Sequence, residues 1–152
     1  MKVLLLAAGR SKRMKPVTDK NFLMFLGKPL IQYKLELLHK SGFDDLIVVG
    51  GNHNLDKIKN LAKGLKMKVD VCEQEDLDLG MAGAVLAAKN KIGNSPVLIL
   101  SSNDVVEESA FKLIKKAAKD MAAESFILGK EVKKYFPGGY LEIDRNDYIK
   151  NI

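Results

Sequence analysis

The sequence predicts an α/β fold in which a mostly parallel sheet is covered by helices on both faces. The first observation is that short apolar runs, typical of buried parallel strands, alternate along the chain with helical patterns. The second is that the first apolar run, from Val3 to Ala8, breaks at Gly9 into a polar, basic loop. In open α/β sheets such a loop lies at the edge where ligands bind.

Each element follows from its own pattern. The strands are expected at residues 2–8, 45–49, 67–72, 96–101 and 125–129. Apolar residues at helical spacing predict helices at 30–40 and around Ile58. A further helix is expected to bury Phe111, Ile114, Ala118 and Met121. After the last strand, a turn at 137–139, an alternating pattern at 140–144 and a second turn at 146–147 before residues 148–152 predict a hairpin.

The composition limits the class of protein. A chain of 152 residues that is 47% hydrophobic can bury a core as one domain. Its net charge of +6 suits a small anionic substrate, and we expect no nucleic-acid partner because no aromatic-interleaved basic patch is present. No apolar run approaches the roughly 20 residues of a membrane helix, so we expect no membrane association. The single Cys72 and the N-terminal strand favour a cytoplasmic protein.

The basic loop has the composition of a phosphate cradle. Gly9 lets backbone approach a ligand closely, and Ser11 offers a small hydroxyl. Arg13 and Lys20 add mobile positive charge, and no carboxylate precedes Asp19 in the loop. A solvated basic loop is the plain alternative, but the buried strand and glycine before the loop favour a polyphosphate. The loop is neither a dinucleotide fingerprint nor a Walker P-loop, because both motifs are absent.

The loop resembles the signature of the nucleotidyltransferase superfamily, in the type that activates sugar 1-phosphates. That signature reads L-A-[AG]-G-x-G-[ST]-R-[ML]-x-P-x-T, followed by P-K and G-K-P. The matching residues are Leu6, Ala7, Ala8, Gly9, Arg13, Met14, Pro16, Thr18, Lys20, Gly27, Lys28 and Pro29. Ser11 stands where the family has its second loop glycine, and Asp19-Lys20 stands where it has P-K. Both departures are similar to the molybdopterin guanylyltransferase branch, so the acceptor stays open.

The resemblance implies a Rossmann-like fold of the nucleotide-diphospho-sugar transferase type. Residues 1–152 would form the N-terminal, nucleotide-binding part of the catalytic domain. The chain ends at Ile152, where the family's E-K-P would follow. We therefore expect a truncated domain without its acceptor part, and little or no turnover by the isolated chain.

The resemblance also implies roles for individual residues. Its nucleotide-binding positions fall on Leu6, Ala7, Ala8, Gly9, Ser11, Lys12, Arg13, Gln74 and Gly80. Arg13 and Lys20 would be catalytic, stabilising the triphosphate and the transition state. The segment with Gln74 and Gly80 looks like the family's base-recognition element, and an amide that donates and accepts leans toward a pyrimidine. Gly139 would contact the acceptor.

A metal site is predicted at the end of the fourth strand. Asp104 follows that strand, and a carboxylate beside phosphates is repelled unless a cation lies between them. The sequence therefore predicts Mg²⁺ with Asp104 as a ligand. The family's G-D is similar, with Asn103 in place of the glycine. The alternative is that Asp104 caps the next helix, a role that Glu107 or Ser109 could also take.

The predicted function is nucleotidyl transfer from a nucleoside triphosphate to a sugar 1-phosphate, with Mg²⁺ as cofactor. Phosphocholine, methylerythritol phosphate and molybdopterin stay open as other acceptors, and a non-catalytic nucleotide-sensing module stays open as another class. A phosphoacceptor receiver domain would need an acidic pair after the first strand, where the chain has Ala7, Ala8 and Gly9. The oligomeric state stays open.

Overall fold

A computed structural model describes residues 1–120, 125–135 and 137–152. The chain forms two compact units, Met1–Phe111 and Lys112–Ile152. The elements in chain order are β1 (Lys2–Leu6), β2 (Met24–Phe25), β3 (Lys28–Pro29), α1 (Leu30–Lys40), β4 (Leu46–Gly51), α2 (Leu55–Gly64), β5 (Val69–Gln74), α3 (Gly80–Ala87), α4 (Lys89–Ile92), β6 (Val97–Ser101), α5 (Glu108–Asp120), β7 (Glu142–Ile143) and β8 (Ile149–Asn151). Within the described residues, no helix combines the length and apolar character needed to cross a membrane.

The first unit is organised around a parallel sheet. Among its described residues, the strands lie in the order β5-β4-β1-β6. In the register of the sheet, Leu4 of β1 lies beside Ile47 of β4 on one side and Ile99 of β6 on the other. The chain passes from β1 to β4 and β5, then returns to β6 on the opposite side of β1. The strand order thus reverses at β1, and the crevice beyond the carboxyl ends of such strands is where ligands bind.

Helices cover both faces of this sheet. On one face the buried cluster comprises Leu4, Ile47, Val49, Cys72, Ala84, Ala88 and Ile92, which joins the strands to α3 and α4. Successive strand residues point to opposite faces, so Gly50 faces away from this cluster. A Cβ at Gly50 would lie 2.7 Å from Ile58 of α2, which places α2 on the other face. The predicted α/β fold with helices on both faces is confirmed.

Four of the five predicted strands and the helix at 30–40 are confirmed, with shifts of a few residues at the strand ends. The strand predicted at 125–129 is wrong, because these residues form no strand. Phe126 and Leu128 are 48% and 54% exposed, so the run is not buried as a central strand would be. A short apolar run becomes a strand only where a neighbour pairs with its backbone, and the sequence cannot show that neighbour.

Two antiparallel hairpins complete the described structure. In the first unit, β2 pairs with β3, and Leu26 and Gly27 between them both have positive φ, as a two-residue I′ turn requires. In the second unit, β7 pairs with β8, which confirms the predicted hairpin in shortened form. The helix predicted from Phe111 onward is α5, while its last predicted apolar residue, Met121, lies outside the described residues.

Candidate functional site

A cleft of about 850 Å³ opens in the first unit, at the carboxyl edge of the sheet. Its walls come from the ends of β1, β5 and β6, the loop after β1 and the start of α3. The predicted site residues that line it are Leu6, Ala8, Gly9, Ser11, Lys12, Arg13, Lys20, Gln74, Gly80 and Asp104. The fold therefore gathers ten residues, predicted from separate stretches of sequence, around one cleft.

Two predicted site residues do not line the cleft. Ala7 is 1% exposed, and its N–H donates to the carbonyl oxygen of Val49 at 2.8 Å, so its backbone holds β1 to β4. Gly139 lies in the second unit, before β7. Its contact with an acceptor stays a prediction.

Ser11 connects the two basic segments of the loop after β1. It has a left-handed backbone with φ 52°, and its Oγ accepts a hydrogen bond from the backbone N–H of Lys20 at 3.0 Å. This conformation favours glycine and costs another residue about 1–2 kcal/mol. The left-handed backbone thus explains why the family signature has glycine at this position. The bond to Lys20 is the contact that a serine adds.

The amide of Gln74 is held in one orientation. Gln74 is 4% exposed, and its Nε2 donates to the carbonyl oxygens of Asp76 at 2.8 Å and Gly80 at 2.9 Å. Both neighbours accept only, so the nitrogen must face them. The side chain lines the cleft with both of its N–H groups engaged, which leaves Oε1 as the atom that can meet a base.

Two glycines support this arrangement for different reasons. Gly80 has φ 58° and ψ −143°, a backbone conformation that essentially requires glycine. At Gly83, a Cβ would lie 2.5 Å from the Cβ of Leu79 and 2.7 Å from Nε2 of Gln74. Gly83 is therefore explained by the close approach of its neighbours, whereas Gly80 is explained by its own backbone.

Asp104 lies at the mouth of the cleft on an exposed loop after β6. It does not cap the following helix, because α5 begins only at Glu108. The described residues contain no group of three or more His, Cys, Asp or Glu side chains that could hold a metal. A metal bound at Asp104 would need oxygen ligands from its substrate and from water.

A buried lysine lies within electrostatic range of Asp104. Lys34 of α1 is 1% exposed, and its Nζ has no hydrogen-bond partner among the described residues. Burial lowers the pKa of this ammonium from its ordinary value, and the negative charge of Asp104 partly opposes the shift. The burial of Lys34 could not be predicted from the sequence, because lysine in a helix is usually exposed.

Positive charge dominates the part of the cleft formed by the loop. Among the described residues that line the cleft, the cations are Arg10, Lys12, Arg13 and Lys20, and the carboxylates are Asp78 and Asp104. Arg10 pairs with Asp78 through Nη2 and Oδ1 at 3.0 Å, so this pair links the loop to the segment between β5 and α3. The arrangement can hold a polyanion along the loop while Asp104 remains available for a cation.

Sequence reasoning missed a buried polar cluster beneath the loop. Its members are Asp19, Asn21, Asn54 and Ser102, all buried. In the sequence Asp19 stands out only as a departure from the signature. Position is the signal that could have revealed the cluster, since Asn54 and Ser102 each come after a strand whose carboxyl end meets the same edge of the sheet.

Comparisons with known proteins find sequences and structures similar to this chain. Residues 2–152 match the family model described as Nucleotidyl transferase. The chain is 30% identical over 137 residues to mannose-1-phosphate guanylyltransferase 1 of Arabidopsis thaliana, covering 84% of this chain and 37% of that protein. It is 35% identical over 131 residues to a UTP–glucose-1-phosphate uridylyltransferase of Staphylococcus epidermidis, covering 70% and 46%.

The fold is also found among solved structures. HddC from Yersinia pseudotuberculosis, complexed with GMP-PN, superposes with a TM-score of 0.77 at 23% identity. That match covers 98% of this chain and 67% of the solved chain. By contrast, the chain spans less than half the length of the two curated relatives described above.

Proposed function

This chain belongs to the nucleotidyl transferase family, and we propose that it forms the nucleotide-binding part of an enzyme that transfers a nucleoside monophosphate to a sugar 1-phosphate. The donor would be a nucleoside triphosphate, and the products would be a nucleotide sugar and pyrophosphate. Curated relatives whose names specify mannose 1-phosphate or glucose 1-phosphate support this class of acceptor.

The observation that carries the proposal is the composition of the cleft at the carboxyl edge. The basic loop, the oriented amide of Gln74 and the carboxylate of Asp104 all line it. Its volume of about 850 Å³ is within the range of small-molecule sites. These are the groups that a triphosphate, a base and a divalent cation each require.

The protein's contribution would be positioning and charge stabilisation. A phosphate oxygen of the acceptor attacks the α-phosphorus of the triphosphate, and the bond from that phosphorus to the oxygen of the β-phosphate breaks to release pyrophosphate. Arg13 and Lys20 would stabilise the negative charge that grows on the phosphates. Gly9 would let backbone approach the triphosphate, because nothing lies within 4 Å of a Cβ built there.

The cleft fits a magnesium ion of the substrate-bound type. Mg²⁺ commonly takes one or two carboxylates together with phosphate oxygens and water, and Asp104 supplies such a carboxylate beside the proposed phosphate site. Asn103 directly precedes Asp104 in the chain, and its Nδ2 lies 3.5 Å from Oδ1 of Asp104. When bound, the ion would neutralise charge on the phosphates.

For base recognition we propose Oε1 of Gln74 as an acceptor. Its amide nitrogen is engaged by Asp76 and Gly80, so a base would have to offer a ring N–H or amino group to this oxygen. Every base carries such a donor. The predicted preference for a pyrimidine assumed an amide that also donates a hydrogen bond to the base. It therefore stays a prediction, and a comparison of the affinities for the four nucleoside triphosphates tests it.

The first experiment is calorimetric titration of the 152-residue chain with UTP, dTTP, CTP and GTP in Mg²⁺. We expect Lys20→Ala to weaken binding of every nucleotide by about tenfold or more, as loss of a charge-assisted contact predicts. Lys66→Ala is the matched control, because Lys66 is exposed and does not line the cleft. Gln74→Ala should remove the preference between bases and leave phosphate affinity largely intact.

A turnover assay then separates the rival functions. Pyrophosphate release is measured with glucose 1-phosphate, mannose 1-phosphate, phosphocholine and methylerythritol phosphate as acceptors. Release of pyrophosphate with a sugar 1-phosphate supports the proposal. Release only with another acceptor would show that this acceptor, and not a sugar 1-phosphate, is the substrate. Binding with little or no release is the result expected of the nucleotide-binding part alone, and absence of binding overturns the proposed function.

A further inference from the structure

The buried cluster beneath the loop is anchored by a carboxylate that faces only hydrogen-bond donors. Oδ1 of Asp19 accepts from the backbone N–H of Asn21 at 2.9 Å and from its Nδ2 at 2.8 Å. Oδ2 accepts from Nδ2 of Asn54 at 2.9 Å. Among the residues that the structure describes, no cationic side chain pairs with Asp19, which is 8% exposed. Three donors thus converge on one buried carboxyl group.

The same cluster joins the ends of three neighbouring strands. Nδ2 of Asn21 and Nδ2 of Asn54 each donate to the carbonyl oxygen of Ala7 at 2.9 Å, just after β1. Oδ1 of Asn54 accepts from the N–H of Gly51 at the end of β4. The hydroxyl of Ser102, after β6, reaches Oδ1 of Asn21 and can donate to it. The cluster is therefore fixed to the rigid sheet rather than to mobile loops.

Lys20 lies between two members of this cluster. Asp19 caps the short helix Lys20–Phe22, and Asn21 is buried, so the backbone on both sides of Lys20 is held. The N–H of Lys20 donates to Oγ of Ser11, which fixes it to the other basic segment. The Lys20 side chain lines the cleft, whereas the carboxylate of Asp19 points away into the cluster.

From this arrangement we propose that Asp19 is a positioning residue for Lys20. Through its hydrogen bonds to Asn21 and Asn54, the carboxylate of Asp19 holds the backbone of Lys20 to the ends of β1 and β4. The ammonium of Lys20 is then already directed at the phosphates before they bind. A side chain ordered in advance loses less entropy on binding, and this raises affinity. Asp19 thus has a function at a position where the family signature has proline. The inference rests on the proposed function, because it concerns phosphate binding by Lys20.

The test is a double-mutant cycle on the 152-residue chain, with inorganic tripolyphosphate and Mg²⁺ as a probe that is independent of the base. Asp19→Ala should weaken tripolyphosphate binding by about fivefold or more. In the Lys20→Ala background the same change should cost less than twofold, because Asp19 acts through Lys20. A structural defect alone would weaken binding equally in both backgrounds.

Asp19→Asn provides a second arm in case Asp19→Ala does not fold, which circular dichroism shows. The amide keeps the shape of the side chain but sets a nitrogen among donors, so it should weaken tripolyphosphate binding when Lys20 is present. In the Lys20→Ala background the same change should cost less than twofold.

The outcomes separate the two proposals. If the unmodified chain binds neither tripolyphosphate nor any nucleotide, the proposed function and this inference are both overturned. If it binds, but the change at Asp19 that folds, to alanine or to asparagine, costs as much affinity without Lys20 as with it, only the inference is overturned. A loss of affinity confined to the chain that retains Lys20 supports the inference.

Discussion

Gln74 donates from Nε2 to the carbonyl oxygen of Gly80, 2.9 Å away, and this bond orients the amide that lines the cleft. The bond ties the end of β5 to the first residue of α3. The same nitrogen also donates to the carbonyl oxygen of Asp76. The amide is thereby oriented by the protein itself, and its oxygen is the atom that we propose accepts a hydrogen bond from the base.

The first prediction concerns Gln74→Met, which keeps the length of the side chain and removes its polar atoms. Two carbonyl oxygens lose their donor, so we expect the free energy of unfolding to fall by about 1–3 kcal/mol. Affinity for tripolyphosphate should stay within about twofold, while discrimination among nucleoside triphosphates should be lost. Urea unfolding and calorimetry measure the two effects. Retained discrimination in this variant would show that other groups read the base.

The second prediction concerns Gly83→Ala. The added Cβ would lie 2.5 Å from the Cβ of Leu79, so we expect a loss of about 1–3 kcal/mol in the free energy of unfolding. The matched control is Gly64→Ala in α2, where nothing lies within 4 Å of the new Cβ and alanine should stabilise by up to about 1 kcal/mol. Thermal unfolding of both variants checks the contrast. Equal effects at the two sites would contradict the packing described at Gly83.

The sequence was sufficient for most of the sheet and for the place of the cleft. Apolar runs and helical spacing depend on local pattern, and the loop of Gly9 and Arg13 is one continuous stretch. The segment 125–129 has a similar local pattern, yet it forms no strand. Whether an apolar run becomes a strand depends on its partners, which a local pattern does not contain.

The details of the site depended on tertiary contacts. The left-handed backbone of Ser11 and the direction of the Gln74 amide are set by neighbours up to nine residues away. The bond between Asp19 and Asn54 joins residues 35 positions apart, so no spacing rule reveals it. The nature of the cleft could thus be predicted from sequence, but the supporting contacts beneath it could not.

The third prediction concerns the ion pair between Arg10 and Asp78 at the edge of the cleft. Asp78→Asn removes the charge that engages Arg10, so its guanidinium becomes available to phosphate. An exposed ion pair is worth about 0–1 kcal/mol, so we expect tripolyphosphate affinity to rise by up to about fivefold at low ionic strength. The gain should shrink in high salt because exposed charges are screened.

The control for this variant is Asp45→Asn, which removes the same charge from an exposed position just before β4, at the other edge of the sheet. Calorimetry at two salt concentrations measures both variants. If affinity rises equally in the two, the effect is one of net charge. A fall in affinity for Asp78→Asn would mean that Asp78 contributes to binding.

The last prediction concerns the buried Lys34. Burial lowers the pKa of its ammonium from the ordinary value of 10.5. Between the lowered pKa and 10.5 the unfolded chain binds more protons than the folded chain, so the free energy of unfolding rises with pH across that window. The cost of burying Lys34 is therefore complete below the lowered pKa and disappears as the pH approaches 10.5.

Lys34→Met replaces the ammonium with an apolar side chain of similar length. Without divalent cations, we expect it to raise the free energy of unfolding at neutral pH by about 1–3 kcal/mol. The gain over the unmodified chain should diminish as the pH is raised to about 10. Lys59→Met, at an exposed position of α2, should show no such pH dependence. Urea unfolding of the three proteins over this pH range checks the prediction, and a gain for Lys34→Met that did not vary with pH would contradict a buried, titrating ammonium.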